Sequence, residues 1–581
     1  MLFPTIRFAI FFAVVMPVSW LLMPLPSRWR PDDDTQPWLA PVGLIAAAAL
    51  LGPFAPTDGW PTAIRLLLFA AALVLAALAV IRLMDLQGLV RWEVFILLAS
   101  YVFYGNYAWH FVALLAGSTV VNHVLTVGIH KREDEAGRRA LLVLAVLANL
   151  AVLGWFKYKG FFIENSRSIL EPLGLEFAPP AASVLPPVGI SFFTFQALSY
   201  VIDTYRRKLE PTSLLDFAVY LSFFPHLVAG PIVRAAEFLP QLRTPRDARK
   251  VDTGLAFWLI AVGMFKKVVV SSYLAEQIVD PVFRIPSQHQ AADTLLGIYG
   301  YAIQIYCDFS GYTDMAIGLA LLLGFRFPQN FDAPYTSASL QEFWRRWHMT
   351  LSRWLRDYLY IPLGGNQRGP GRAYLNLFLT MVIGGFWHGA AWTFIIWGAL
   401  HGGYLAAERW WTSRPKPGPG SPADVDPADM PVLVPTGSDP RGEHGADPEL
   451  ALGQTSVAEH DPVAMRPGMH PTVKLWLSRL LTFHVVCLGW VFFRATSVEE
   501  AFEVLGRLFH FGTGMGINLM VVVAIVTFIA TQYVSDETVG KWQAGFSRLA
   551  AWQQGLLLAA WLCFTSALSP VGVAPFIYFA F

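Results

Sequence analysis

At 581 residues the chain is long enough for about four soluble domains, yet 55% of it is hydrophobic and only 14% charged, too little charge to cover soluble surfaces. Its 42 Lys and Arg almost cancel 41 Asp and Glu, leaving a net charge of +1 and no basic excess that would suit nucleic acid. Cys307, Cys487 and Cys563 lie far apart in apolar runs, which excludes a disulfide framework and a cysteine zinc site. An integral membrane protein remains.

Crossing a bilayer as a helix takes about 20 apolar residues, and the expected fold class is all-α: a polytopic membrane protein with roughly 11–13 transmembrane or re-entrant helices. Phe8–Leu25 follows Arg7 and has no small-residue cleavage site before Ser27, so it reads as a first span or signal anchor rather than a removed signal peptide. Next come Pro41–Phe54, Ile64–Leu83, Trp92–Val121 (long enough to bend or break) and Ala140–Phe156. Pro187–Val201, Phe217–Val233, Gly254–Leu274 and Leu295–Phe325 follow, then Tyr374–Ala406, Val473–Phe493, Ile517–Tyr533 and Leu556–Phe581. The longest of these are expected to hold two helices or a re-entrant turn. No repeat of 20–50 residues is visible.

Trp411–His470 differs in kind. It is rich in Pro, Gly and Asp, and it cannot bury enough apolar surface to offset its ordering entropy, so it reads as a disordered loop. With its 9 acidic and 4 basic residues set aside, the rest of the chain carries 38 basic against 32 acidic, a charge of +6. The resulting division is 1–90 (N-terminal helices), 91–410 (core), 411–470 (loop) and 471–581 (C-terminal helices). Basic clusters at Lys131–Arg139, Arg206–Lys208 and Arg234–Lys250 mark cytoplasmic loops.

Ionisable groups inside apolar segments are costly and point to function. In Ile383–Gly402, IGGFWHGAAWTFIIWGALHG, His388 lies among Gly384, Gly385 and Gly389, which permit a break or a close approach, with Trp387 and Trp392 as walls. On a continuous helix it would sit roughly 21 Å into its segment. The alternative is a histidine that simply bonds a neighbouring helix. In Gln341–Gly369, Phe343, Trp347, Leu351, Trp354 and Tyr358 recur at helical spacing, with Arg345, Arg346, Arg353 and Arg356 on other faces. That pattern predicts one interfacial amphipathic helix carrying His348 beside Trp344 on its apolar side. Most of its arginines read as headgroup anchors, a minority as contacts for donor phosphates. In Gln304–Tyr335, Asp308 and Asp314 stand six residues apart, off a common face, with Ser310-Gly311 expected to interrupt the run. They suit orienting a histidine or pairing with an arginine better than acting as paired catalytic carboxylates. Asp203 and His226 are weaker candidates of the same type. No HExxH, Walker A loop or nucleophile elbow is present, and no metal site is expected.

Five motifs then occur in order: PVGISFFTFQALSYVIDTYR, SFFPHLVAGPIVRAAEFLPQL, QIYCDFSGYTDMAIGLA, EFWRRWHMTLSRWLRDYLYIPLGGN and FWHGAAWTFIIWGALHG. CLGWVFFRATSVEEAFEVLGRLF follows the loop. Together they resemble the membrane-bound O-acyltransferase family, in particular its bacterial alginate O-acetylase-like branch, over roughly Arg91–Trp410 and Val473–Phe511. The family's signature histidine matches His388 and its second recurring polar position matches His348. Asp308, Asp314, Trp387, Trp344 and Arg345 are the candidate supporting residues around them. The resemblance implies a multi-pass enzyme of the inner (plasma) membrane, its helices arranged around a central funnel. It would move an acyl group, most simply acetyl, from a cytosolic thioester donor such as acetyl-CoA to hydroxyls of an exported polysaccharide or a partner protein. No permanently bound cofactor is expected. Expected partners are the donor, the glycan acceptor, membrane lipids and a periplasmic esterase-like acetyltransferase.

His388 is expected to act as general base, with His348 orienting or polarising the acyl carbonyl; covalent relay of the acyl group is the alternative. A D-alanyl or lipid acyltransferase of the same family, a proton-coupled transporter or flippase, and a recruiting scaffold remain rival readings. Asp32–Gln87 reads as an insertion of extra apolar spans relative to the family pattern, and the 411–470 loop is a second departure.

Overall fold

The computed structural model describes residues 6–24, 88–173, 186–413, 470–512 and 518–568. The expected spans at Pro41–Phe54 and Ile64–Leu83, the Asp32–Gln87 insertion and nearly all of the acidic loop therefore lie outside the described residues. Among the described residues every regular element is helical. Four of the described helices are long and apolar enough to cross a membrane: His110–Lys131, Glu135–Leu173, Thr253–Arg284 and Pro471–Arg494. A pair bent by 96°, Leu519–Thr531 with Asp536–Ser547, makes a fifth if counted as one span.

Helix α1 (Ile6–Leu22) packs on α2 (Gly88–Ala108). The long run after Trp92 breaks as expected, at Trp109, before α3 (His110–Lys131). Asp134 then starts α4 (Glu135–Leu153) by accepting from the Gly137 amide, which satisfies one of the free N–H groups at the helix start. A π turn, Gly154–Tyr158, leads from α4 into α5 (Lys159–Leu170). Helix α6 (Ile190–Tyr205) is buried along nearly its whole length.

The run Phe217–Val233 does not make one membrane-length helix. It holds most of the nine-residue α7 (Leu214–Ser222) and a single turn, Phe224–Leu227, both buried in the protein interior. Helix α8 (Ala235–Arg243) is followed by α9 (Thr253–Met264), which continues through a π turn, Phe265–Ser271, to Arg284.

A second correction concerns α10 (Ala291–Leu322), a continuous helix of 32 residues, or about 48 Å. Ser310-Gly311 does not interrupt it. Gly311 instead lets α10 meet α9: a methyl group there would fall 2.6 Å from the Gly263 carbonyl oxygen, and one on Gly263 2.5 Å from that of Gly311. The glycine relieves crowding between two helices rather than bending one.

Two short helices, α11 (Leu340–Arg346) and α12 (Met349–Leu355), precede α13 (Pro370–His388) and α14 (Trp392–Thr412). Pro370 at the first turn of α13 follows Gly369 at φ +83°. Beyond residue 470, α15 (Pro471–Arg494) packs against α14 and α10.

Candidate active site

The apolar run around His388 is a helical hairpin. Helix α13 ends at His388, Gly389 takes an extended backbone (φ −156°, ψ 147°), and α14 restarts at Trp392. The hairpin is tight because glycines line it. A methyl group on Gly385 would collide with the Phe394 carbonyl oxygen, one on Gly398 with that of Met381, and one on Gly389 with the Phe394 ring. Gly398→Ala should therefore cost about 1–3 kcal/mol of stability. Thermal unfolding in detergent measures this, and an unchanged midpoint would contradict the packing described.

His388 is 3% exposed. Its ring meets Trp397 at 5.2 Å and 87°, Phe493 at 5.2 Å and 69°, and Trp387 at 4.9 Å. Phe493 lies on α15, so the chain beyond residue 470 supplies one wall of the site. The end of α13 is held from the π turn: the Lys157 ammonium donates to the carbonyls of Trp387 (2.8 Å) and His388 (2.7 Å), and the Tyr158 hydroxyl donates to that of Phe386 (3.0 Å).

His348 corrects the expectation of a single interfacial helix. The aromatic-arginine stretch breaks at His348, which takes a left-handed backbone (φ +44°) between α11 and α12. Its aromatic face is inside the protein: Phe343, Trp347, Leu351 and Trp354 are all buried. The arginines are not free headgroup anchors either. Arg346 pairs with Glu342 (3.0 Å) and Asp332 (3.2 Å), Arg356 with Asp357 (2.7 Å), and Arg353 lies 3.7 Å from Glu237. Arg345 sits in the field of Glu342 and Glu408.

What holds His348 in this conformation is Asn330. Its carbonyl oxygen accepts from the Met349 amide (2.9 Å), and its side-chain oxygen meets the Thr350 amide (3.2 Å), the Thr350 hydroxyl (2.9 Å) and His348 Nδ1 (3.1 Å). A backbone amide can only donate, so the atom facing Thr350 is the oxygen of Asn330 and not its nitrogen. The same oxygen then requires His348 Nδ1 to carry the proton. Nε2 is left as a lone-pair acceptor, buried and without a hydrogen-bond partner among the described residues.

The two histidines are brought together. His348 and His401 lie within Coulombic range of His388, as does Lys157. Phe195 of α6 stacks on Trp354 (3.6 Å, 5°) on one side and on Trp387 (4.8 Å, 12°) on the other, tying the helix after His348 to the residue before His388. Trp344 donates from its indole to His401 Nδ1 (3.1 Å), and both rings pack on Trp397.

Asp308 and Asp314 do pair across the bundle, but with lysines. Lys267 binds Asp308, which Ser271 also meets at 3.3 Å, and Lys266 binds Asp314 at 2.9 Å. Asp308 connects to the site through its neighbour Phe309, whose ring is edge-on to His348 at 4.6 Å. Asp203 accepts from Tyr358 (2.6 Å), and His226 donates from Nε2 to the Tyr220 carbonyl (2.8 Å).

Sequence reasoning missed Asn330, Lys157, His401 and the Lys266–Lys267 pair. The two lysines had a visible signal, charge inside an apolar run. Lys157 had a weaker one, since a lysine near a span end reads as an anchor. His401 stood inside the quoted motif, thirteen residues after His388. Asn330 had none.

The described residues thus form a helical protein with membrane-length helices and buried histidines at helix breaks, enclosed by aromatic rings. The sequence model of the family MBOAT, the membrane-bound O-acyltransferases, matches residues 124–417, a stretch that includes His348 and His388. The chain is 39% identical over 423 residues to the probable alginate O-acetylase of Pseudomonas aeruginosa, covering 72% of this chain and 70% of that protein. It is 34% identical over 446 residues to the peptidoglycan O-acetyltransferase of Helicobacter pylori, covering 71% and 73%. It is also 28% identical over 314 residues to the teichoic acid D-alanyltransferase of Streptococcus thermophilus, covering 48% and 74%. The protein belongs to the membrane-bound O-acyltransferase family and is an O-acyltransferase of the membrane.

Proposed function

We propose that this enzyme, in the inner membrane, moves an acetyl group from cytosolic acetyl-CoA to a hydroxyl of an exported polysaccharide, with His388 as general base. The observation that carries this reading is that buried His388, at the end of α13, stands within electrostatic reach of His348, whose Nε2 has no partner among the described residues. The names of the relatives, which cite alginate and peptidoglycan O-acetylation, support the acetyl group and a polymer acceptor.

The step balances within the two substrates and one imidazole. His388 takes the acceptor hydroxyl's proton as the oxygen attacks the thioester carbonyl. The tetrahedral intermediate then collapses, the carbon–sulfur bond breaks, and the imidazolium returns the proton to the leaving thiolate. Burial among Trp387, Trp397 and Phe493 keeps bulk water from competing as the nucleophile. His348 enters differently from the sequence expectation. A neutral His348 with its proton on Nδ1 offers Nε2 as an acceptor, so it orients a substrate O–H or N–H and does not polarise a carbonyl. The same lone pair favours a second reading in which His348 is the base, and the relative losses of the two histidine variants separate these readings.

The experiment for the overall function is mass analysis of surface glycans from cells with and without the protein. Acetyl esters that disappear with the protein support the proposal. Glycans with unchanged acetylation overturn it, and loss of D-alanyl esters or of an exported glycan would favour a D-alanyltransferase or a flippase respectively.

A further inference from the structure

Helix α13 ends on its candidate catalytic residue, which is an exposed way to hold a base. The last four carbonyls of an α-helix have no intrahelical donor, and the final turn frays unless something else binds them. Here three consecutive carbonyls are bound by side chains from one π turn: Phe386 by the Tyr158 hydroxyl, and Trp387 and His388 by the Lys157 ammonium.

The direction of Lys157 is unusual for its place in the chain. Lys159, two residues on, extends over the Trp155 ring at 4.3 Å, and Trp155 is itself exposed on the outer face of the helix. That is the behaviour of an interfacial anchor. Lys157 turns inward instead, and among the described residues no carboxylate lies within ion-pair distance of it. Its counter-charge is the negative end of α13 itself, where the helix dipole terminates on the carbonyls it binds. A membrane protein gains little stability from placing an ammonium there without a carboxylate. The arrangement makes sense if the position of the helix end matters. The π turn, a local distortion that recurs at functional sites, presents Lys157 and Tyr158 side by side to the same helix end.

We propose that Lys157, assisted by Tyr158, is a positioning residue that clamps the last turn of α13 and so fixes His388 in the acyl-transfer site. The proposal rests on the assignment of His388 as the base only for its kinetic consequence. The clamp itself is a statement about where the His388 backbone is held. Lys157→Met removes both bonds to the helix end, Lys157→Arg keeps a cation with donors of similar reach, and Tyr158→Phe removes one hydroxyl.

The test combines acetyl transfer with diethyl pyrocarbonate labelling of the histidines, read by mass spectrometry on full-length protein in detergent. Lys157→Met is expected to lower kcat at least tenfold with little change in donor KM, since misplacement of a catalytic group affects the chemical step more than binding. His388 labelling should rise severalfold while His226 labelling stays at the wild-type rate. Lys157→Arg should recover most of both readouts, and Tyr158→Phe should show a smaller change of the same kind. If Lys157→Met does not accumulate, Lys157→Gln and Tyr158→Phe give the same readings. Unchanged His388 labelling in a folded Lys157 variant overturns the clamp. If His388→Ala retains activity, the assignment of the base fails, and labelling alone still decides the clamp.

Discussion

Replacing His388 by alanine is expected to lower acetyl transfer in membranes by about 10²–10⁴-fold, the usual worth of a positioned general base. That is equivalent to about 3–5 kcal/mol of barrier. The substitution removes a ring that contacts Trp387, Trp397 and Phe493, so the protein must be shown to accumulate and to unfold at a near-wild-type temperature. His348→Ala should lose less, because in this account His348 orients a substrate and does not move the proton. It does break the bond to Asn330, but Met349 and Thr350 still hold that residue through its carbonyl and side-chain oxygens. If the order of the two losses is reversed, His348 is the base. If neither variant loses activity, the chemistry lies elsewhere.

The second large effect concerns stability. The Lys267 and Asp308 side chains are 1% and 4% exposed, whereas those of Lys266 and Asp314 are 18% and 21% exposed. Removing one partner of a fully buried pair takes away the opposite charge that the other faces, and the cost is about 3–5 kcal/mol. Lys267→Met should therefore unfold at a much lower temperature than wild type, and Lys266→Met should lose distinctly less. Lys267→Met combined with Asp308→Leu should recover much of the loss, since a well-packed apolar pair is often as stable as a buried ionic one. A double variant whose loss equals the sum of the two single losses would show that the pair is not coupled.

The sequence was most legible where the chemistry is local. Apolar length located several of the described helices, though not at Phe217–Val233, and the glycines around His388 marked the hairpin, because close backbone approach leaves few other residues possible. That the Trp92–Val121 run would bend or break was legible from its length, too great for one span, but its place at Trp109 was not. His348 shows the limit. Aromatic spacing persists on both sides of it, so the pattern reads as one helix, yet the chain turns there because Asn330, eighteen residues earlier, holds the backbone and ring from outside the pattern. Ser310-Gly311 misled in the opposite sense. Glycine in an apolar run signals either a bend or a close neighbour, and only the packing of α9 against α10 decides which. The aspartates were recognised but their lysine partners were not. The partners sit forty-one and forty-eight residues away, in a run whose length alone made it look like an ordinary span.

The central claim, that this membrane protein carries an acyl group from a thioester to a glycan hydroxyl, is tested most directly with the purified protein in lipid nanodiscs. Acetyl-CoA labelled in its acetyl group is supplied with a soluble polysaccharide, and both free thiol and glycan-bound label are followed. The account predicts that the two appear together, one thiol per acetyl ester, and that both require the polysaccharide. Intact acetyl-CoA and unlabelled glycan after incubation with folded wild-type protein, under conditions where its own membranes acetylate glycan, would contradict it.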